Sequence, residues 1–199
     1  MLAAVRVVAI TDRRLMGDGP RGFAAAIERA LRGCPPGSVV VQVREKDLDG
    51  GPLLELVRIA TGYAPVSVND RVDVALAANA AAVQLPERGM SVADARSLFA
   101  GVIGVSRHAA DAGTGADLVQ LGPIWPTPSK PDRPLGTAAL GAPAGGARIV
   151  AVGGIDSPAR AGEAVAAGAD VVAVIRAAWT HDSLAAMVSA VDEARGRRS

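Results

Sequence analysis

Arg148-Ile149-Val150-Ala151-Val152-Gly153-Gly154-Ile155 opens a stretch that closes on Asp170-Val171-Val172-Ala173-Val174-Ile175. Both ends are short, continuously apolar and rich in valine and isoleucine, which suits strands buried on both faces. Between them, Ser157 can cap and Pro158 can open an alanine-rich helix over 159–167, and Gly168 is a good stop. Strand, helix and second buried strand make a βαβ unit, which implies a parallel sheet.

The same alternation continues outward through the chain. Strands are predicted at 5–11, 39–44, 65–68, 82–85, 102–106, 117–121, 148–152 and 170–175. A helix over 23–31 places Phe23, Ala26, Ile27 and Ala30 on one face, and one over 53–60 does the same with Leu53, Leu56, Val57 and Ala60. Ser91 caps a helix over 92–99, another begins near Asp73, and the last spans about 182–195. Segments 109–114 and 137–140, after strands five and six, hold at most a weak helix. Eight units in 199 residues predict an α/β fold, a small (β/α)8 TIM barrel. The chain reads as a single domain, 1–199, with 196–199 as a frayed tail. A doubly wound open sheet is disfavoured, because Thr11-Asp12-Arg13-Arg14 stands where a Gly-x-Gly-x-x-Gly would follow the first strand.

Composition narrows the function. A net charge of +1 supplies no basic stripe for nucleic acid, and 3% aromatic residues supply no stacking platform. The single cysteine, Cys34, excludes an intrachain disulfide and a cysteine-based metal cluster. Arg6 interrupts the only apolar stretch near the amino terminus, and no stretch approaches the roughly 20 apolar residues of a membrane span. A cytoplasmic protein without membrane or nucleic-acid partners is expected; a homo-oligomer is compatible with the sequence.

Of 21 basic side chains only Lys46 and Lys130 are lysine, and each follows a predicted strand. In a barrel of this kind the loops after the strands build the active site. Those loops hold Arg44, Glu45 and Lys46; Asn69, Asp70 and Arg71; Glu87, Arg88 and Gly89; Ser106, Arg107 and His108; Thr127, Ser129 and Lys130; Gly153 and Gly154; and Arg176. Cations, hydroxyls and glycines in this mixture suit a phosphorylated ligand. Gly153-Gly154 follows strand seven, the usual phosphate region of the fold, although a tight turn that needs positive φ would also select glycine. Arg44 and Lys46 lie on one side of an extended chain; their alternative is a solvated pairing with Glu45 or Asp47. Asn69-Asp70 could form part of a magnesium site or cap the following helix.

Six segments together resemble the thiamine phosphate synthase and thiazole tautomerase superfamily. They are Ile10-Thr11-Asp12, Gln42-Val43-Arg44-Glu45-Lys46, Val68-Asn69-Asp70-Arg71, Gly104-Val105-Ser106, residues 121–130 from Leu121-Gly122-Pro123 to Ser129-Lys130, and Ala151-Val152-Gly153-Gly154-Ile155. The resemblance implies a transferase that joins a pyrimidine methyl diphosphate to a thiazole phosphate and releases pyrophosphate. It implies that Arg44, Lys46, Asn69 and Lys130 bind the diphosphate and that Gln42 and Ser106 contact the pyrimidine. Thr127, Ser129, Gly153, Gly154 and the chain at Ile175 would hold the thiazole phosphate, with Arg176 replacing the usual serine. Mg2+ is implied, with Asp70 as ligand. The second ligand is an aspartate in the family; here that place is Gly89, next to Arg88, which leaves Glu87 or none. Loss of that aspartate points toward the metal-free tautomerase branch, with His108 as acid and base, or toward a non-catalytic protein that binds a phosphate ligand.

Overall fold

The computed structural model describes residues 2–109, 115–128, 133–141 and 145–198. Eight parallel strands close into a barrel in chain order: β1 (Val7–Ile10), β2 (Val39–Val43), β3 (Val66–Asn69), β4 (Ala82–Leu85), β5 (Val102–Arg107), β6 (Leu118–Leu121), β7 (Arg148–Val152) and β8 (Val171–Val174). β1 closes the ring on β8 with Val8 opposite Ala173. The helices are α1 (Gly19–Leu31), α2 (Gly50–Thr61), α3 (Val72–Ala77), α4 (Val92–Leu98), α5 (Pro158–Ala166), α6 (Arg176–Thr180) and α7 (Leu184–Arg198). The barrel expected from the sequence is thus the observed fold.

Side-chain alternation divides the core into two layers. Val7, Ala9, Val39 and Val41 face outward and pack with Phe23, Ile27, Leu53 and Val57 of the helices. Val8, Ile10, Val40, Val150, Val171 and Ala173 fill the barrel. Three buried amides join them: Gln120 donates to Gln42 Oε1 at 3.3 Å, and Gln84 donates to Ser106 Oγ at 3.1 Å. Gly104 makes room for the second pair, since a Cβ there would stand 2.1 Å from Gln84 Oε1.

The differences from expectation have local causes. α1 begins four residues early, at Gly19, because Pro20 is tolerated in the first turn of a helix while the glycines on either side hide the start. The weak helix after β6 is a 3-10 turn, Thr137–Gly141; the one expected at 109–114 falls largely outside the described residues. α6 was not foreseen: it is a single turn inserted before α7 and tied to β1 by Trp179 Nε1, which donates to the Ile10 carbonyl at 2.8 Å. Of the tail expected to fray over 196–199, the described residues 196–198 continue α7. Arg198 anchors it by donating to the carbonyls of Val165 and Ala169, each at 2.9 Å.

Candidate active site

A cavity of about 880 Å3 opens at the C-terminal ends of the strands. It gathers Arg44 and Lys46 after β2, Thr127 after β6, Gly153 and Gly154 after β7, and Ile175 and Arg176 after β8. Sequence reasoning had assigned all seven to the site. Ser129 and Lys130, assigned with them, lie outside the described residues.

The acidic neighbours of Arg44 and Lys46 are committed elsewhere. Glu45 is 6% exposed and its carboxylate is taken up by residues that follow β1. Its Oε1 accepts from the Thr11 hydroxyl at 2.6 Å and the Arg13 backbone N–H at 3.1 Å, and Arg13 Nη1 lies 3.2 Å from Oε2. Arg13 also holds Asp47 through two hydrogen bonds of 2.6 and 2.8 Å, which draw the Asp47 carboxyl down to about 2. The Thr11 hydroxyl oxygen in turn accepts the Arg44 N–H at 3.0 Å. Residues just after β1 therefore take up Glu45 and Asp47, and Arg44 and Lys46 have no ion pair among the described residues. Glu45→Ala strands the Thr11 and Arg13 donors; urea unfolding should show a loss of about 2 kcal/mol.

The glycine loop is organised by its carbonyls. The Ile124 N–H donates to Val152 O at 2.9 Å and the Trp125 N–H to Gly153 O at 3.1 Å; Arg160 Nη1 donates to Gly154 O at 2.6 Å. In a trans peptide N–H and C=O point in opposite directions. The N–H groups of Gly153, Gly154 and Ile155 thus point away from these donors, and they meet no acceptor among the described residues. Both glycines have positive φ, +95° and +73°. A Cβ would stand 2.6 Å from Pro123 Cβ at Gly153 and 2.5 Å from Trp125 Cβ at Gly154. The positive-φ turn thus also presents three consecutive backbone donors with no acceptor among the described residues, an arrangement chemically suited to an anion.

The other predicted residues among those described, Gln42 in β2 and those at or after the ends of β3 to β5, are not in the wall of this cavity. Gln42 and Ser106 belong to the amide layer described above. Asn69 ends β3, and Asp70 follows it as an exposed residue with φ of +67°. A Cβ on Gly89 would stand 3.2 Å from Asp70 Oδ1, so the two positions face one another. Glu87 does not fill the gap. Its Oε2 lies 2.7 Å from His108 Nδ1 and its Oε1 accepts the His108 backbone N–H at 3.3 Å, contacts that hold its carboxyl below the usual range. Among the described residues no group of three or more histidine, cysteine, aspartate or glutamate side chains could hold a metal ion. This donor set does not fit a protein-built magnesium site.

Several cavity residues were not assigned to the site from the sequence: Asp12 and Arg14, which pair with each other, Arg13, Arg160 and His181. Arg160 carried a signal, since a cation in the first turn of a helix opposes the helix dipole.

Comparison with known proteins places these features in context. Residues 7–178 match the family model described as thiamine monophosphate synthase. A Geobacter sulfurreducens relative is 44% identical over 184 residues, covering 84% of this chain and 84% of its own. The thiamine-phosphate synthase of Chloroflexus aurantiacus is 38% identical over 196 residues, 91% of this chain and 88% of its own. Among solved structures, the thiamine phosphate pyrophosphorylase from Pyrococcus furiosus superposes with a TM-score of 0.78 at 28% identity, covering 96% of this chain and 97% of that one.

Proposed function

Because this chain belongs to the thiamine monophosphate synthase family, we propose that its barrel mouth joins a pyrimidine methyl diphosphate to a thiazole phosphate. The chain is a thiamine-phosphate-synthase-like transferase of thiamine biosynthesis. The observation that carries the assignment to this cavity is that one lining gathers two groups suited to anions. Arg44 and Lys46 have no ion pair, and the N–H groups of 153–155 no acceptor, among the described residues, and all five residues line the cavity.

The reaction breaks the bond between the pyrimidine methyl carbon and the diphosphate oxygen, and the electron pair leaves with pyrophosphate. The thiazole nitrogen then donates its lone pair to the methyl cation, forming the new C–N bond; no redox partner is needed. Arg44 and Lys46 neutralise charge that grows on the departing oxygens, which lowers the barrier. Lys130 and Asn69 are assigned to the same diphosphate, and Gln42 and Ser106 to the pyrimidine. The 153–155 loop, Thr127, Ser129, the chain at Ile175 and the Arg176 guanidinium hold the thiazole phosphate and thereby align its nitrogen. His108, the acid and base of the isomerase reading, lies outside the cavity wall with its Nδ1 on Glu87.

The family resemblance implies Mg2+, with Asp70 as ligand. Among the described residues its donor set lacks a second carboxylate, so Arg44 and Lys46 carry the charge stabilisation in this account. Gly89 is tied to its neighbour: a Cβ there would stand 2.7 Å from the Pro86 ring. Restoring a carboxylate therefore needs both Pro86→Gly and Gly89→Asp. The double variant should bind Mn2+ in the roughly millimolar range by calorimetry or spin resonance, with no such site at this corner of the parent protein. Equal Mn2+ binding by both proteins would show that Asp70 does not need position 89.

The test of the function is direct synthesis. Purified protein with both substrates and magnesium should yield thiamine phosphate and pyrophosphate. Binding of phosphate ligands without product would instead support a non-catalytic protein.

A further inference from the structure

Arg160 occupies a position that its own helix disfavours. Ser157 caps α5 by accepting the Arg160 N–H at 3.4 Å, and Pro158 opens the helix, so Arg160 lies in the first turn. A cation there opposes the helix dipole. Its side chain reaches back over the helix start and makes three contacts. Nη1 donates to Gly154 O at 2.6 Å and to Asp156 Oδ2 at 3.1 Å, and the guanidinium carbon sits 5.5 Å from the centre of the Trp125 ring. The bond to Asp156 is a surface ion pair of a kind that contributes little. The other two contacts join different walls of the cavity, the loop after β7 and the loop after β6.

The three carbonyls of the glycine loop are held in unequal ways. Val152 O and Gly153 O are held by backbone donors from the loop after β6, whereas Gly154 O is held by the Arg160 side chain. The third peptide is therefore the one whose orientation depends on a side chain. We propose that Arg160 is a positioning residue for the anion nest. By taking the Gly154 carbonyl it turns the following Ile155 N–H toward the cavity, and by stacking on Trp125 it fixes the distance between the two loops. A planar guanidinium does both at once, which a lysine ammonium cannot. The inference rests on the reading above that this loop receives the thiazole phosphate.

The test compares parent protein, Arg160→Met and Arg160→Lys in steady-state synthesis and in calorimetry with inorganic phosphate. Arg160→Met should raise the KM for the thiazole phosphate about tenfold, because one charge-assisted hydrogen bond that orients a donor is lost. The KM for the pyrimidine diphosphate and kcat should change less than about twofold, and inorganic phosphate should bind correspondingly more weakly. Arg160→Lys should recover part of the loss, since it keeps a donor for the carbonyl and loses the stack. An unchanged thiazole KM and phosphate affinity in Arg160→Met would overturn the inference, as would equal losses for both substrates. If the parent makes no thiamine phosphate, the synthase reading fails; the phosphate titration of parent against Arg160→Met then decides the role of Arg160 independently.

Discussion

Arg44→Met together with Lys46→Met should lower kcat/KM for the pyrimidine diphosphate by about a thousandfold, since a single preorganised donor to a developing oxyanion contributes roughly 100- to 1000-fold. The fold should tolerate the pair. Neither side chain has a hydrogen bond or ion pair among the described residues, and the strut that shapes the β1 and β2 ends is Glu45 with Thr11 and Arg13. Thermal unfolding is therefore expected to be nearly unchanged, and so is the KM for the thiazole phosphate. Most of the loss should appear in kcat, because the two cations act on charge that grows as the bond breaks. A loss under about tenfold would mean that the leaving group is neutralised elsewhere in the mouth.

Gly154→Ala should have the second largest effect. Its φ of +73° is strained for any residue with a Cβ, and that Cβ would stand 2.5 Å from Trp125 Cβ and 3.2 Å from the Pro126 carbonyl. Backbone strain and overpacking together should cost about 2–4 kcal/mol of stability. Relief requires Trp125 or the loop to move, which separates Gly154 O from Arg160 and turns the free N–H groups out of line. The KM for the thiazole phosphate should rise about a hundredfold, as when one or more charge-assisted hydrogen bonds are lost, while pyrimidine diphosphate binding is retained. Steady-state kinetics with each substrate varied separately would show this split, and Trp125 emission would report the loop movement.

The barrel was legible because its strands are buried on both faces and its helices bury one stripe, two patterns that a linear sequence displays directly. Arg44 and Lys46 were legible for a related reason: they continue the alternation of β2 past its end. Their freedom from Glu45 and Asp47 was not. That depends on Arg13, more than 30 residues away, and becomes visible only when β1 lies beside β2 with Thr11 N–H on Gln42 O at 2.9 Å. Gly153-Gly154 could be read as either a turn or an anion nest; the structure shows the positive-φ turn and donors on its carbonyls, which the sequence does not display. Arg160 and Trp125 meet through side-chain reach between separate loops, which no periodicity encodes. The departure at Gly89 was visible as a missing carboxylate. Its coupling to Pro86 was not, because it is a steric fact of one turn. α6 stayed hidden because a single helical turn shows no period.

The central claim is that this mouth carries out the condensation itself. The most direct measurement is the stoichiometry of product formation: purified protein, pyrimidine methyl diphosphate, thiazole phosphate and magnesium, with thiamine phosphate and pyrophosphate quantified together over time. The account predicts that both appear in equal amounts and that the Arg44→Met and Lys46→Met pair suppresses both alike. No thiamine phosphate at high protein concentration, with the thiazole phosphate still bound, would contradict it.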